Sequence, residues 1–191
     1  RDETAKALEG FLITLRKTVE NKTNTTKETQ ALKKLRAERG EMDETLRREQ
    51  EKELWDIIKV RSVTRMMATA YAHTILFLVL TVQVNLLGGR LFEEQTRINS
   101  SSGASMASND TAASDRMGNY QASHKFVLMH TYEYFFGRGL ASLISTVEQA
   151  VAEVLADWDV LDRSSLHMSR ETFEETIQEI RSIVEGGRPS R

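Results

Sequence analysis

"ELWDIIKVRSVTRMMATAYAHTILFLVLTVQVNLLGG", residues 53–89, decides the fold because a charged beginning leads into a long apolar continuation. Residues 66–87 contain no Lys, Arg, Asp or Glu. A helix of about 20 apolar residues can span the hydrocarbon of a bilayer. A helix that is apolar nearly all round is equally typical of the centre of a helical bundle. The stretch is therefore either a membrane span or the buried central helix of a soluble protein.

Polar residues inside this stretch favour the buried central helix. Thr, His, Gln and Asn side chains occur at positions 69, 73, 74, 81, 83 and 85, and the strongly apolar part is limited to residues 75–80. Such residues are costly in the hydrocarbon of a membrane but are accommodated within a bundle. Gly88 and Gly89 then predict the end of the helix, because glycine often follows a helix C-terminus.

The flanking sequence has helical periodicity and no strand-like alternation. Residues 4–20 form a predicted amphipathic helix, and residues 21–29 a polar loop. A strong amphipathic helix is predicted just after Gly139, and a last one begins near Ser169, a plausible N-cap. The apolar positions of these two helices are Leu140, Leu143, Ile144, Val147, Ala150, Val151, Val154 and Leu155, then Phe173, Ile177, Ile180 and Val184.

Two further segments complete the predicted organisation. Residues 33–53 hold fourteen charged residues, seven of each sign, which predicts a solvated helical connection interrupted at Gly40, with i,i+4 pairs Asp43/Arg47 and Glu44/Arg48. Residues 96–123 are rich in Ser, Ala, Asn and Gly, which predicts a flexible insert. The fold class is all-α: one domain over residues 1–191, an elongated bundle built around the central helix.

Composition excludes several functions. With 26 basic and 28 acidic residues and a net charge of −2, the chain gives no electrostatic reason to expect nucleic acid or an anionic membrane surface as partner. It has no cysteine, so disulfides and thiolate chemistry are absent. The chain begins with Arg1 and shows no apolar leader near its start, so we expect it to be a fragment of a longer protein.

The sequence offers no catalytic or metal-binding constellation. Its four histidines include no HExxH motif, and the GxG at Gly137 and Gly139 has neither a preceding strand nor a following Lys-Ser/Thr, so we interpret it as a helix junction. We therefore expect no enzymatic activity, no cofactor, no metal and no small-molecule substrate. The most unusual residue is Trp55, which can share a helix edge with Leu54 and Ile58. From the residues alone, Trp55 is either part of the core or an exposed binding residue.

Four strings in register across residues 53–185 carry a resemblance to a known family: "ELWDIIKVRSVTR" (53–65), "VQVNLLGG" (82–89), "FFGRGLASLISTVEQAVAEVL" (135–155) and "IQEIRSIVE" (177–185). Together they resemble the peroxisomal biogenesis factor 3 (peroxin-3) family. The resemblance is fainter over residues 4–50, where the highly charged stretch departs from the family. In the family a membrane anchor lies upstream of the position of Arg1, and the cytosolic domain continues past the position of Arg191.

This resemblance implies a docking receptor on the cytosolic face of the peroxisomal membrane. The partner would be peroxin-19, a chaperone of newly made peroxisomal membrane proteins, which docks through an N-terminal amphipathic helix in a groove. Trp55 would be the centre of the groove, with Ile58, Leu91, Lys59 and Leu54 as further contact residues. The resemblance also implies that residues 66–87 are a soluble central helix. The alternatives are an integral membrane protein spanning at 66–87, which detergent-free solubility would exclude, and a helical scaffold without a peroxisomal role.

Overall fold

The computed structural model describes residues 2–37, 43–101, 126–162 and 169–186. These residues are predominantly helical, and no strand occurs among them, which confirms the predicted all-α class. In chain order the elements are α1 (Asp2–Lys22), α2 (Thr26–Ala37), α3 (Glu44–Ser101), α4 (126–134), a π-helical turn (Phe135–Gly139), α5 (Leu140–Val154) and α6 (Arg170–Val184). The predicted helix junction around Gly137 is this π-helical turn.

The chain divides into two compact units. The first consists of Arg1–Ala72 together with Leu140–Arg191, and the second is His73–Gly139. Helix α3 contributes residues to both units. The first unit is therefore discontinuous in sequence, and the second is inserted between its two segments.

The core of the first unit is built by α3, α5 and α6. Its central cluster of buried side chains comprises Met67, Val147, Ala150, Val151, Leu155 and Ile180. Leu143, Val154, Ile177 and Val184 are partly buried against this cluster, so the apolar faces predicted for α5 and α6 are confirmed. Phe173 is the exception, because its side chain lies near the start of α6 and is 44% exposed.

Helix α6 begins where its sequence predicts. The Ser169 hydroxyl accepts a hydrogen bond from the backbone N–H of Thr172 at 3.1 Å, which satisfies one of the free donors of the first turn. After the last turn, Gly186 adopts a φ of 81°, a conformation that glycine reaches without steric cost. The predicted N-cap is thus confirmed.

Two arginines of α3 hold the turn between α1 and α2. The Arg65 guanidinium donates hydrogen bonds to the hydroxyl of Thr23, at 2.9 Å, and to its carbonyl oxygen. Arg61 donates to the carbonyl of Asn24 at 2.8 Å and to Glu28 at 2.7 Å. These donors satisfy carbonyl groups that are left free at the end of a helix. The predicted loop at 21–29 is therefore only a short turn, and α2 begins at Thr26.

Helix α3 does not end at the glycine pair. It continues to Ser101, so Gly88 and Gly89 lie inside it, and the predicted insert at 96–123 begins with helical residues. Each interior glycine costs a helix about 1 kcal/mol relative to alanine. The helix formers that follow, among them Arg90, Leu91 and Glu93, offset this cost. Residues 102–123 of the predicted insert lie outside the described residues.

The apolar stretch of α3 is buried only in its first part. Ala68, Ala72 and Leu76 are at most 2% exposed. Phe77 and Val84, in contrast, are about two thirds exposed. The prediction of a buried helix is therefore confirmed as far as Leu76 and wrong for most large apolar side chains beyond it.

The second unit covers only one face of this part of α3. Within it, the Tyr132 hydroxyl of α4 donates a hydrogen bond to Gln83 of α3 at 2.6 Å. The large apolar side chains that stay exposed on the rest of its surface are Phe77, Leu78, Val82, Val84, Leu86, Leu87, Leu91 and Phe92. By length and composition α3 could also cross a membrane, and only 6% of its most apolar 18 residues is buried.

We expect Gly89→Ala to stabilise α3 by about 0.5 to 1 kcal/mol, because alanine loses less backbone entropy than glycine in a helix interior. A Cβ atom at this position would meet no neighbour within 4 Å. Circular dichroism during urea unfolding measures the effect, with Gly10→Ala in the open interior of α1 as the matched substitution. A loss of helicity in Gly89→Ala would show that α3 ends at the glycine pair.

Candidate functional site

Four of the five predicted contact residues lie within two turns of α3. Leu54, Trp55 and Ile58 are half-buried, and Lys59 is buried. Leu91 belongs to the second unit, about ten turns further along α3, where its side chain is 68% exposed. The structure therefore brings together the four residues at 54–59, whereas Leu91 belongs to the second unit.

Helix α2 braces one side of this stretch. Arg36, in the last turn of α2, donates hydrogen bonds from Nε and Nη2 to one carboxylate oxygen of Glu51, at 2.9 and 2.5 Å. The Arg61–Glu28 ion pair joins the same two helices at 2.7 Å. The hydrogen bonds from Arg36 hold the pKa of the Glu51 carboxyl below its ordinary value. Both contacts fix the helix on either side of Trp55.

The end of α5 braces the other side through Lys59. Its ammonium donates to the carbonyl oxygens of Leu155, at 3.0 Å, and Trp158, at 2.5 Å, and to the carboxylate of Asp56 at 2.8 Å. An ammonium has three donors, and these three acceptors use them all. Lysine near a helix C-terminus also interacts favourably with the partial negative charge there. Lys59 thus has a clear structural role, whether or not it also contacts a partner.

A nearby ion pair adds to this brace. Lys52 contacts Asp159 at 3.0 Å, and a backbone hydrogen bond from Leu161, followed by the contact with Lys52, lowers the pKa of Asp159. An open depression lies beside the pair, lined by Thr45, Arg48, Glu49, Lys52, Asp159, Leu161 and Asp162. A second, more apolar depression is lined by Asp56, Ile57, Val60, Arg61 and Glu148. Trp55 lines neither of these two depressions.

Lys59→Met should destabilise the first unit by about 1 to 3 kcal/mol, because the carbonyl groups at the end of α5 lose their buried donor. The matched change is Lys52→Met, which removes an ion pair whose lysine is about half exposed and should cost at most about 1 kcal/mol. Urea denaturation of both variants measures the difference. Equal stabilities would show that Lys59 does not hold the end of α5.

Trp55 is half-buried, which lies between the two alternatives predicted from the sequence, a core residue and an exposed one. The guanidinium carbon of Arg36 lies 5.8 Å from the centroid of the indole ring. The indole N–H is buried without a hydrogen-bond partner of good geometry, although it lies close enough to Glu51 to contribute to the lowered pKa of that carboxyl. An unpaired buried donor is unfavourable in the free protein. The indole ring is thus partly accessible and is flanked by the charged side chains of Arg36 and Glu51.

Sequence reasoning missed Arg36 and Glu51. Glu51 precedes Trp55 by one helical turn, so the spacing alone could have placed the two side chains together. No sequence spacing could have placed Arg36 beside Trp55, because the position of Arg36 depends on how α2 packs against α3. Among the described residues, no group of three or more His, Asp or Glu side chains is arranged to hold a metal ion.

Fold and site together define a class: an all-α protein whose candidate site is a partly accessible aromatic side chain on a braced helix. The Peroxin-3 family model matches residues 13–191. The chain therefore belongs to the Peroxin-3 family, which confirms the resemblance found in the sequence. Family membership connects the chain with peroxisome biogenesis, and Peroxin-3 is a family of biogenesis factors rather than of enzymes.

Curated relatives agree with this assignment. The chain is 26% identical to human "Peroxisomal biogenesis factor 3" over 133 residues, which cover 70% of this chain and 31% of the relative. It is 30% identical to "Peroxisome biogenesis protein 3-1" of Arabidopsis thaliana over 120 residues, which cover 63% of this chain and 31% of the relative. The rat factor 3 is 24% identical over 133 residues. The chain thus spans about a third of the length of these relatives.

Proposed function

We propose that this chain is part of a docking receptor for peroxin-19 on the cytosolic face of the peroxisomal membrane. In this role it binds the N-terminal amphipathic helix of peroxin-19 and so admits newly made membrane proteins to the peroxisome. The family assignment supports the peroxisomal setting. The identity of the partner and the set of contact residues are part of the proposal and do not follow from the family assignment.

The observation that carries the proposal is the partial accessibility of Trp55 on a rigidly held helix. A tryptophan buries a large, rigid surface when a partner docks, and such residues dominate the energy of helix-in-groove interfaces. Leu54 and Ile58, both half-buried, lie on adjacent turns and supply further apolar surface. The Arg61–Glu28 ion pair to α2 and the contacts of Lys59 with the end of α5 fix this stretch before binding, which reduces the entropy lost on association.

Isothermal titration with a synthetic peptide of the peroxin-19 N-terminal helix tests the proposal. We expect saturable one-to-one binding to this chain. The control is a peptide of equal length and charge in which the apolar face is replaced by serine, and it should not bind. Failure of the native peptide to bind, or equal binding of both peptides, would reject a docking site of this kind.

The exposure of apolar residues along α3 favours a second candidate, insertion of that stretch into a bilayer. A chain that inserts should float with phosphatidylcholine vesicles in a density gradient and should require detergent to stay dispersed. A monodisperse species in detergent-free buffer that stays at the bottom of the gradient would exclude it.

A further inference from the structure

Three side chains from two helices meet at the candidate site. Arg36 lies in the last turn of α2, and Glu51 and Trp55 lie one turn apart on α3. The Arg36 guanidinium binds Glu51 through two nitrogens and also lies over the indole ring of Trp55. Arg36 therefore occupies space at the ring that a docking side chain needs.

The exposures of Arg36 and Glu51 show which of the two side chains can move. The Arg36 side chain is 54% exposed, whereas that of Glu51 is 15% exposed. Glu51 is thus held in the protein and Arg36 reaches across the surface to it. Movement of Arg36 alone uncovers the ring, and it requires no change in either helix.

The contacts that hold Arg36 are weak enough to be exchanged. Arg36 is the more exposed partner of its ion pair, and an ion pair or a cation–π contact made by an exposed side chain changes an equilibrium by about twofold to fivefold. A tryptophan anchor in an interface changes affinity by about 30-fold or more. Docking on Trp55 can therefore displace Arg36, at a measurable cost in affinity.

We propose that Arg36 is a displaceable cover on Trp55, held in place by Glu51, and that an amphipathic partner helix must move it to dock. The binding part of this inference rests on the proposed function, whereas the cover itself is a property of the free protein. In the free protein the cover shields part of the aromatic surface from water. Partner helices that bind too weakly to displace Arg36 are thereby disfavoured.

The cover is tested first without any partner. The chain has two tryptophans, so Trp158→Phe leaves Trp55 as the single tryptophan, which can be excited selectively over the tyrosines. In that background, Arg36→Ala and Glu51→Gln should each increase acrylamide quenching of Trp55 and shift its emission to longer wavelength. Arg16→Ala is the matched control, because it removes an exposed arginine that pairs with Glu20 on α1. Should Trp158→Phe fail to fold, the same comparison in the natural background is valid, since Trp158 is common to all variants.

Binding of the synthetic peroxin-19 helix then tests the displacement. Arg36→Ala and Glu51→Gln should raise affinity by about 2- to 10-fold over both the natural chain and Arg16→Ala. Unchanged quenching in both variants would overturn the cover. Unchanged or weaker peptide affinity in Arg36→Ala would overturn the displacement step and make Arg36 a contact residue. If no variant binds the peptide, the proposed function fails, while the quenching result still decides whether Arg36 covers the ring.

Discussion

Val151→Asp is expected to unfold the first unit. Val151 is completely buried on α5, within the cluster that joins α3, α5 and α6. An unpaired charge buried in such a core costs several kcal/mol, and the whole stability of a small domain is only about 5 to 15 kcal/mol. Circular dichroism should show a large loss of helix or a greatly lowered melting temperature.

Ala152→Asp is the control for this substitution. It places the same charge one residue later on α5, where the side chain is exposed. This variant loses helix propensity, about 0.5 to 0.7 kcal/mol, and its charge in the last turn of α5 costs about 0.3 to 1 kcal/mol more. A folded Val151→Asp protein with the stability of Ala152→Asp would show that the buried face of α5 has been assigned wrongly.

Trp55→Ala is expected to reduce affinity for the peroxin-19 helix by about 30- to 1000-fold, the usual effect of truncating a central aromatic anchor. Its effect on stability should be smaller than the 3 to 5 kcal/mol typical of a core tryptophan. The ring is only half-buried, and its removal also removes a buried N–H that lacks a partner. We therefore expect a loss of about 1 to 2 kcal/mol.

Isothermal titration with the peroxin-19 peptide and a melting curve, both measured on Trp55→Ala, distinguish a binding role of Trp55 from a structural one. Leu46→Ala is the matched control, because Leu46 is a large apolar residue of α3 with its side chain 48% exposed. It should leave affinity unchanged, and Ile58→Ala should weaken binding less than Trp55→Ala. A large drop in melting temperature with unchanged binding would make Trp55 a purely structural residue.

The sequence predicted the elements whose signals are local. The apolar positions of α5 repeat at helical spacing over four turns, so both the helix and its buried face followed directly from them. The N-cap at Ser169 was equally predictable, because capping depends on a serine and the first turn that it precedes. Burial of Ile180 and Val151 is the consequence of these patterns.

The remaining features depend on contacts between elements. The glycine pair at 88–89 predicts a helix end, yet the helix formers around it carry α3 onward. The charged stretch contains seven acids and seven bases, so its pairing could not be deduced from spacing. Arg47 pairs with Glu44 at i,i+3 rather than with Asp43, and Arg36 finds Glu51 fifteen residues away. The charged side chains that flank Trp55 could therefore be identified only from the structure.

The division of the first unit into two sequence segments has a consequence for how the chain folds during synthesis. Met67 and Val151 share one core, but the whole second unit, His73–Gly139, is made between them. At about 5 to 20 residues per second, a ribosome needs about 3 to 13 s to make that segment. Closing so long a loop also carries an entropy cost before any core contact forms. During this interval the apolar face of the first half of α3 has no α5 to cover it, and apolar surface exposed in this way is prone to aggregation until α5 is made.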